Sequence, residues 1–107
     1  MNATITVTPE GTTLINVLTV EPANQAKLLD SLRQNAESVV STLSGWISTS
    51  FVVSHDKSRI VIYSQWRDLA ALRAMQSHPQ MRAYFPRVAA LASFDSISGD
   101  VAYSRHA

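Results

Sequence analysis

The 107-residue chain contains no cysteine, which removes disulfides, thiolate nucleophiles and Cys-based zinc or iron–sulfur sites in one step. Its only glycines stand at positions 11, 45 and 99, too far apart for a G-x-G-x-x-G or Walker loop, so no phosphate cradle can be drawn. The three histidines, His55, His78 and His106, lack the three- or four-residue spacing of a helical metal pair, and no metal is expected. Nor is there an excess of one charge. Nine Lys and Arg face eight Asp and Glu without a run of either sign, which leaves no footprint for nucleic acid.

Long apolar stretches are absent too. None approaches the roughly 18 residues of a bilayer span, and residues 1–11 lack the basic and apolar regions of a secretory signal. No membrane partner and a cytoplasmic location are the expectation. Serine is plentiful, but no Ser, His and acid stand at a recognisable triad spacing. Charge of either sign is scarce, at 16% of residues against 46% apolar. A domain this small must expose much of itself, so the composition implies an apolar surface that a partner covers.

What is present reads as alternating strands and helices in one domain over residues 12–107, behind a flexible leader of residues 1–11. Residues 13–20 (TLINVLTV) are β-branched and aliphatic, as a strand requires. Glu21-Pro22 breaks the strand, and Asn24 is placed to cap a helix. Its apolar positions Leu28, Leu29, Leu32, Ala36, Val39, Val40 and Leu43 recur every three or four residues. Gly45 reads as the helix terminator. Residues 46–54 (WISTSFVVS) and 59–66 (RIVIYSQW) read as two strands joined by a short polar hairpin.

Asp68 is placed to cap a helix carrying Leu69, Leu72 and Met75, and Pro79 restarts the helical pattern through Met81, Tyr84, Phe85, Val88 and Leu91. Pro86 should kink or interrupt it. The last strand is expected over residues 96–104, with Gly99 at a bulge. This order, β-α-β-β-α-β, is that of a ferredoxin-like α+β fold: a four-stranded antiparallel sheet with its helices on one face. The other face would expose Ile15, Val17, Val61 and Tyr63, and pairing two such sheets in a homodimer is the natural remedy.

Alternation places Leu14, Asn16 and Leu18 on one face of the first strand, and Ile60, Ile62, Ser64 and Trp66 on one face of the third. Asn16 is a lone amide among aliphatic residues. It is either a core amide bonded to backbone or water, or a donor facing a ligand. Trp66 is either a core tryptophan or one that aims its N–H into a cleft. Trp46 is explained by packing alone. Arg73, Arg82 and Arg87 either stand in solvent or, for one of them, steady an anionic substrate.

The runs TLINVLTV, LSGWISTSF and VIYSQWRD, with the helix after Glu21-Pro22, resemble the antibiotic biosynthesis monooxygenase superfamily over residues 13–103. The resemblance implies a dimeric α/β barrel. It also implies a cofactor-free oxygenase that turns an anthrone or phenol into a quinone with O2, with Asn16 and Trp66 as catalytic residues. Leu14, Leu18, Ile62, Leu72, Arg82, Tyr84 and Phe85 are then the candidate substrate contacts. In the cofactor-free members a second Asn stands four residues before the Trp, where this chain has Ile62. The haem-degrading branch carries an axial His on the later helix, where residues 81–88 (MRAYFPRV) have none. Two further classes stand beside the oxygenase: a divergent member that binds a small apolar ligand without turnover, and a purely structural dimer module.

Overall fold

A computed structural model describes residues 11–107, so the expected leader lies, except for Gly11, outside the described residues. Four antiparallel strands, β1 (Thr12–Val20), β2 (Trp46–Val53), β3 (Arg59–Trp66) and β4 (Ala92–Gly99), form one sheet in the order β2-β3-β1-β4. Three helices cover it: α1 (Gln25–Ser38), α2 (Leu69–Ser77) and α3 (Pro79–Ala89). This is the expected ferredoxin-like topology, with the second helical segment split in two by Pro79. Asp68 caps α2 by accepting from the Ala71 N–H at 2.8 Å, which satisfies one of the donors that a helix start leaves unpaired.

The first helix begins and ends differently from its sequence pattern. The Asn24 side chain makes no capping bond; a 3-10 turn over Pro22–Asn24 leads into the helix instead, because Pro22 already holds the φ of a helical first turn. The helix stops at Ser38 rather than running to Leu43, and a second 3-10 turn follows over Val40–Thr42. There the hydroxyls of Ser38, Ser41 and Thr42 donate to backbone carbonyls three or four residues back, which loosens a helix end. Buried Gln25 pins the start of α1 to the β2–β3 hairpin by donating to the carbonyl of Arg59 at 2.9 Å.

Two further expectations are corrected. Of the two effects expected of Pro86, interruption does not occur: α3 runs on to Ala89 with one ladder bond forgone. The last strand lies over Ala92–Gly99, not residues 96–104, and Gly99 ends it rather than bulging it. Every residue of β4 pairs with central β1, from Val20↔Ala92 to Thr13↔Gly99. Those ladder bonds outweigh the thin apolar signal of Ile97, Val101 and Tyr103, of which only Ile97 lies in the strand.

The registers put Leu14, Leu18 and Val20 of β1 and Ile60 and Trp66 of β3 on the helix side, where they are buried. Ile15, Val17, Val61 and Tyr63 share the opposite face, together with Val52 and Ile97. On the helix side the core falls into two clusters. One gathers Leu18, Val20, Leu28, Leu32, Ile60, Tyr84 and Val88; the other gathers Leu14, Trp66, Ala71, Leu72, Met75 and Met81.

Candidate active site

The space between the two core clusters is a cavity of about 360 Å³, walled by the sheet on one side and by α1, α2 and α3 on the other. Its size is that of a small-molecule pocket, and its lining is predominantly apolar with a few polar groups, as such pockets are. The strand pattern explains where it opens. Along β1 the helix-side positions read Leu14, Asn16, Leu18, and the amide interrupts the aliphatic run at the gap between the clusters. Opposite it on β3 stands Ile62, the direct ladder partner of Asn16, with Ser64 next along the same face.

Of the residues singled out from sequence, Leu14, Asn16, Leu18, Ile62, Trp66, Tyr84 and Phe85 border this one cavity. Leu72 and Arg82 do not. Leu72 is buried behind the wall, in the cluster around Trp66 and Met75, and Arg82 stands exposed on α3. An apolar residue on the inner stripe of α2 is a packing position, and an arginine at the outer stripe of α3 is a solvated one.

Asn16 is half-buried, and its Oδ1 accepts a hydrogen bond from Ser96 Oγ across the β1–β4 ladder, where the two are partners. With the oxygen engaged, both amide N–H donors remain for the cavity. Of the two readings of Trp66, the structure agrees with the core one. Only 1% exposed, its indole N–H does not enter the cavity but donates to Ser64 Oγ at 3.1 Å, because a buried indole donor must find an acceptor and the hydroxyl two residues back is on the same face.

Tyr84 presents its ring to the cavity while its hydroxyl shares a 2.8 Å hydrogen bond with Ser31 of α1. Burial pushes the phenol up from its ordinary pKa, against the opposing pull of the Ser31 bond and of Arg87, whose guanidinium lies 5.6 Å from the ring centre. It therefore stays protonated at neutral pH, a donor rather than a base. Among the described residues no cluster of three or more His, Asp or Glu is placed to hold a metal ion.

Sequence reasoning missed several polar residues at this wall: Asn35, which donates to Met81 Sδ at 3.5 Å, and Thr49 and Ser96; Ser64 was placed on the right strand face but not assigned to the site. Hydroxyls carry little pattern of their own. Ser96 was within reach of sequence reading only if the last strand had been registered along the whole of β1.

Against known proteins, the family model described as antibiotic biosynthesis monooxygenase matches residues 11–87. The chain is 39% identical over 83 residues to the tetracenomycin-F1 monooxygenase of Streptomyces glaucescens, covering 78% of this chain and 74% of that one. Among solved structures, the monooxygenase of the gene ActVA-Orf6 of Streptomyces coelicolor, in complex with nanaomycin D, superposes with a TM-score of 0.83 at 18% identity, over 91% of this chain and 92% of that one. SnoaB, a cofactor-independent oxygenase from Streptomyces nogalater, superposes with a TM-score of 0.77 at 17% identity, over 90% of this chain and 97% of that one. The two superpositions are likenesses of fold. The family match and the curated relative go further: the chain belongs to the antibiotic biosynthesis monooxygenase family.

Proposed function

We propose that the protein is a cofactor-independent monooxygenase that oxidises a small aromatic or polyketide-like substrate, an anthrone or phenol, to a quinone with dioxygen, and that it works as a homodimer paired through its sheet faces. The observation that carries the reading is the apolar cavity of about 360 Å³ with Asn16 on its lining and the amide oxygen of Asn16 engaged by Ser96, in a chain 39% identical to a tetracenomycin-F1 monooxygenase.

The chemistry asks little of the protein beyond environment. An anthrone or phenol bound as its enolate or phenolate is electron-rich and passes one electron to dioxygen, which lifts the spin restriction on bond formation. The resulting radical pair combines into a peroxide, and the peroxide loses water to leave a carbonyl. A CH2 and one O2 become a C=O and one H2O, so no outside reductant enters. The two N–H donors of Asn16 stabilise the substrate oxyanion, an interaction that strengthens as the anion forms. Leu14, Leu18, Ile62, Phe85 and the Trp66 ring hold the flat rings and keep bulk water from the anion and the radical pair.

Oxygen uptake and quinone absorbance with a model anthrone and metal-stripped protein test this reading. Turnover above the uncatalysed background is expected. Asn16→Ala should lower kcat by on the order of a hundredfold, the scale of a lost oxyanion donor, and Trp66→Phe should lower it less. Background rates throughout would sink the oxygenase. Ile62 opposite Asn16 favours a second reading, a family member that binds a flat apolar ligand without turnover. Quinone binding without oxygen uptake would establish that one.

A further inference from the structure

The β2 strand carries an irregularity that its sequence does not announce. The register with β3 runs Trp46↔Trp66 and then Ser48↔Gln65 and Thr49↔Ser64, so one extra residue is accommodated between Trp46 and Ser48. Strict alternation would put Trp46 and Thr49 on opposite faces. The bulge turns both to the helix side, where Trp46 packs against the second core cluster and donates its indole N–H to Thr49 Oγ1 at 2.9 Å. Bulges re-aim side chains in this way beside functional sites.

Two equivalent pairs result: Trp46 with Thr49 on β2, and Trp66 with Ser64 on β3. Thr49 and Ser64 are ladder partners and both line the cavity, which puts their Cβ atoms about 5 Å apart on one face. An indole nitrogen only donates, so each hydroxyl is fixed as the acceptor and keeps its own proton to give. Ser64 is 5% exposed, and its Oγ has no further hydrogen-bond partner among the described residues. A hydroxyl that already accepts an N–H is polarised into a stronger donor.

We infer that Thr49 and Ser64 form a second oxygen-binding point in the cavity, a pair of hydroxyl donors that takes a ketone or phenolate oxygen of a flat polycyclic substrate and fixes its orientation against Asn16. Asn16 and Ser64 sit diagonally on neighbouring strands, about 7–8 Å apart, so the two donor points address oxygens on different edges of one ring system. The pair supplies the polar contact that Ile62 does not. This rests on the reading that the cavity takes a flat aromatic; it does not require that the protein oxidise it.

The test is the affinity, under nitrogen, for two probes of one shape: anthraquinone-2-sulfonate, which carries two ketone oxygens, and anthracene-2-sulfonate, which carries none. Both are read by quenching of tryptophan fluorescence. Wild-type protein is expected to prefer the quinone. Thr49→Val and Ser64→Ala should each weaken quinone binding about tenfold, the scale of one hydrogen bond to a buried oxygen, and leave the hydrocarbon within about twofold. Thr49→Ser, which keeps a hydroxyl, should restore the quinone affinity. A merely structural role would lower both affinities together. An unchanged quinone-to-hydrocarbon ratio in the variants, or no preference in the wild type, overturns the inference. Should Ser64→Ala fail to fold, Thr49→Val at the half-buried position carries the same comparison. Selective quinone binding in a protein that consumes no oxygen keeps this inference and discards the oxygenase.

Discussion

Asn16 shows how far a single residue can be read. Its position in an aliphatic strand marks it as either a core amide or a donor to a ligand, and sequence leaves that choice open. The choice depends on Ser96, which lies 80 positions away and engages the amide oxygen only because β4 pairs with β1 in one register. Trp66 gives the converse lesson, since its burial is legible but the acceptor for its N–H is not. Local chemistry is easier to follow at Asp56, whose carboxylate accepts from the Ser58 N–H at 3.0 Å, the Ser58 hydroxyl at 2.7 Å and the Ser54 hydroxyl at 2.8 Å. These donors favour the charged form and hold its pKa down at about 2. A carboxyl depressed in the folded state contributes stability above its unfolded pKa near 4, and that contribution is lost as pH falls through the folded value. Asp56→Ala should therefore be less stable than the wild type at pH 6, with the gap in thermal midpoint closing between about pH 4 and pH 2. A gap independent of pH over that window would mean that the turn, with Lys57 at a φ of 65°, owes nothing to the charge.

Elements were legible where periodicity was strong and obscure where pairing decided. Helix α1, strands β1 and β3 and the break at Pro79 follow from spacing and from proline. The bulge in β2 and the bounds of β4 follow from the ladder with a neighbour, which no window along one segment contains. Gly45 lies between these cases. Its sequence suggests a helix terminator, yet α1 has already ended at Ser38, and Gly45 instead makes the turn into β2 at a φ of +83°. Its carbonyl accepts from the Arg67 N–H at 2.7 Å, which ties the start of β2 to the end of β3. A Cβ there would lie 2.5 Å from the Cβ of Ala71, buried on α2. Gly45→Ala meets both a left-handed backbone and a clash with a helix, costs of about 1–2 kcal/mol and 1–3 kcal/mol respectively. The variant should lose about 2–5 kcal/mol in urea unfolding, and Gly99→Ala, with nothing within 4 Å of its added Cβ, should lose far less. Equal losses at the two glycines would show that the approach of α2 to this turn is not fixed.

Among the described residues the helices cover one face of the sheet, while the other keeps exposed apolar side chains and is buried toward its Thr13–Gln65 end. Val52 and Ile97 on that face are 58% and 65% exposed, and Ile15, Val17 and Val61 lie between them. The Tyr63 hydroxyl on the same face is buried without a hydrogen-bond partner among the described residues, which costs about 1–3 kcal/mol while it stays unpaired. Charged residues are only 16% of the chain, and on this face they include Asp95 opposite Val17 and Arg59 opposite Thr19. Pairing two such faces removes apolar area from water at about 25 cal/mol per Å². Sedimentation equilibrium should find a dimer. Val17→Lys combined with Ile97→Lys should yield monomers, because Asp95, the ladder partner of Val17 on the same face, can pair with only one of the two ammonium groups; the other is buried without a partner at a cost of several kcal/mol, and each 1.4 kcal/mol is tenfold in Kd, so the dimer weakens by at least about a hundredfold. A wild-type protein that sediments as a monomer would leave the apolar face without this explanation. The same variant probes how the two faces communicate. Val17 and Asn16 are neighbours on β1 that point to opposite sides, so a monomer keeps every cavity-lining side chain and loses only the layer that stiffens the sheet behind them. Quinone affinity should fall by no more than a few fold in the monomer while the thermal midpoint falls by several degrees; a collapse of binding with the midpoint unchanged would instead place part of the site on the partner subunit.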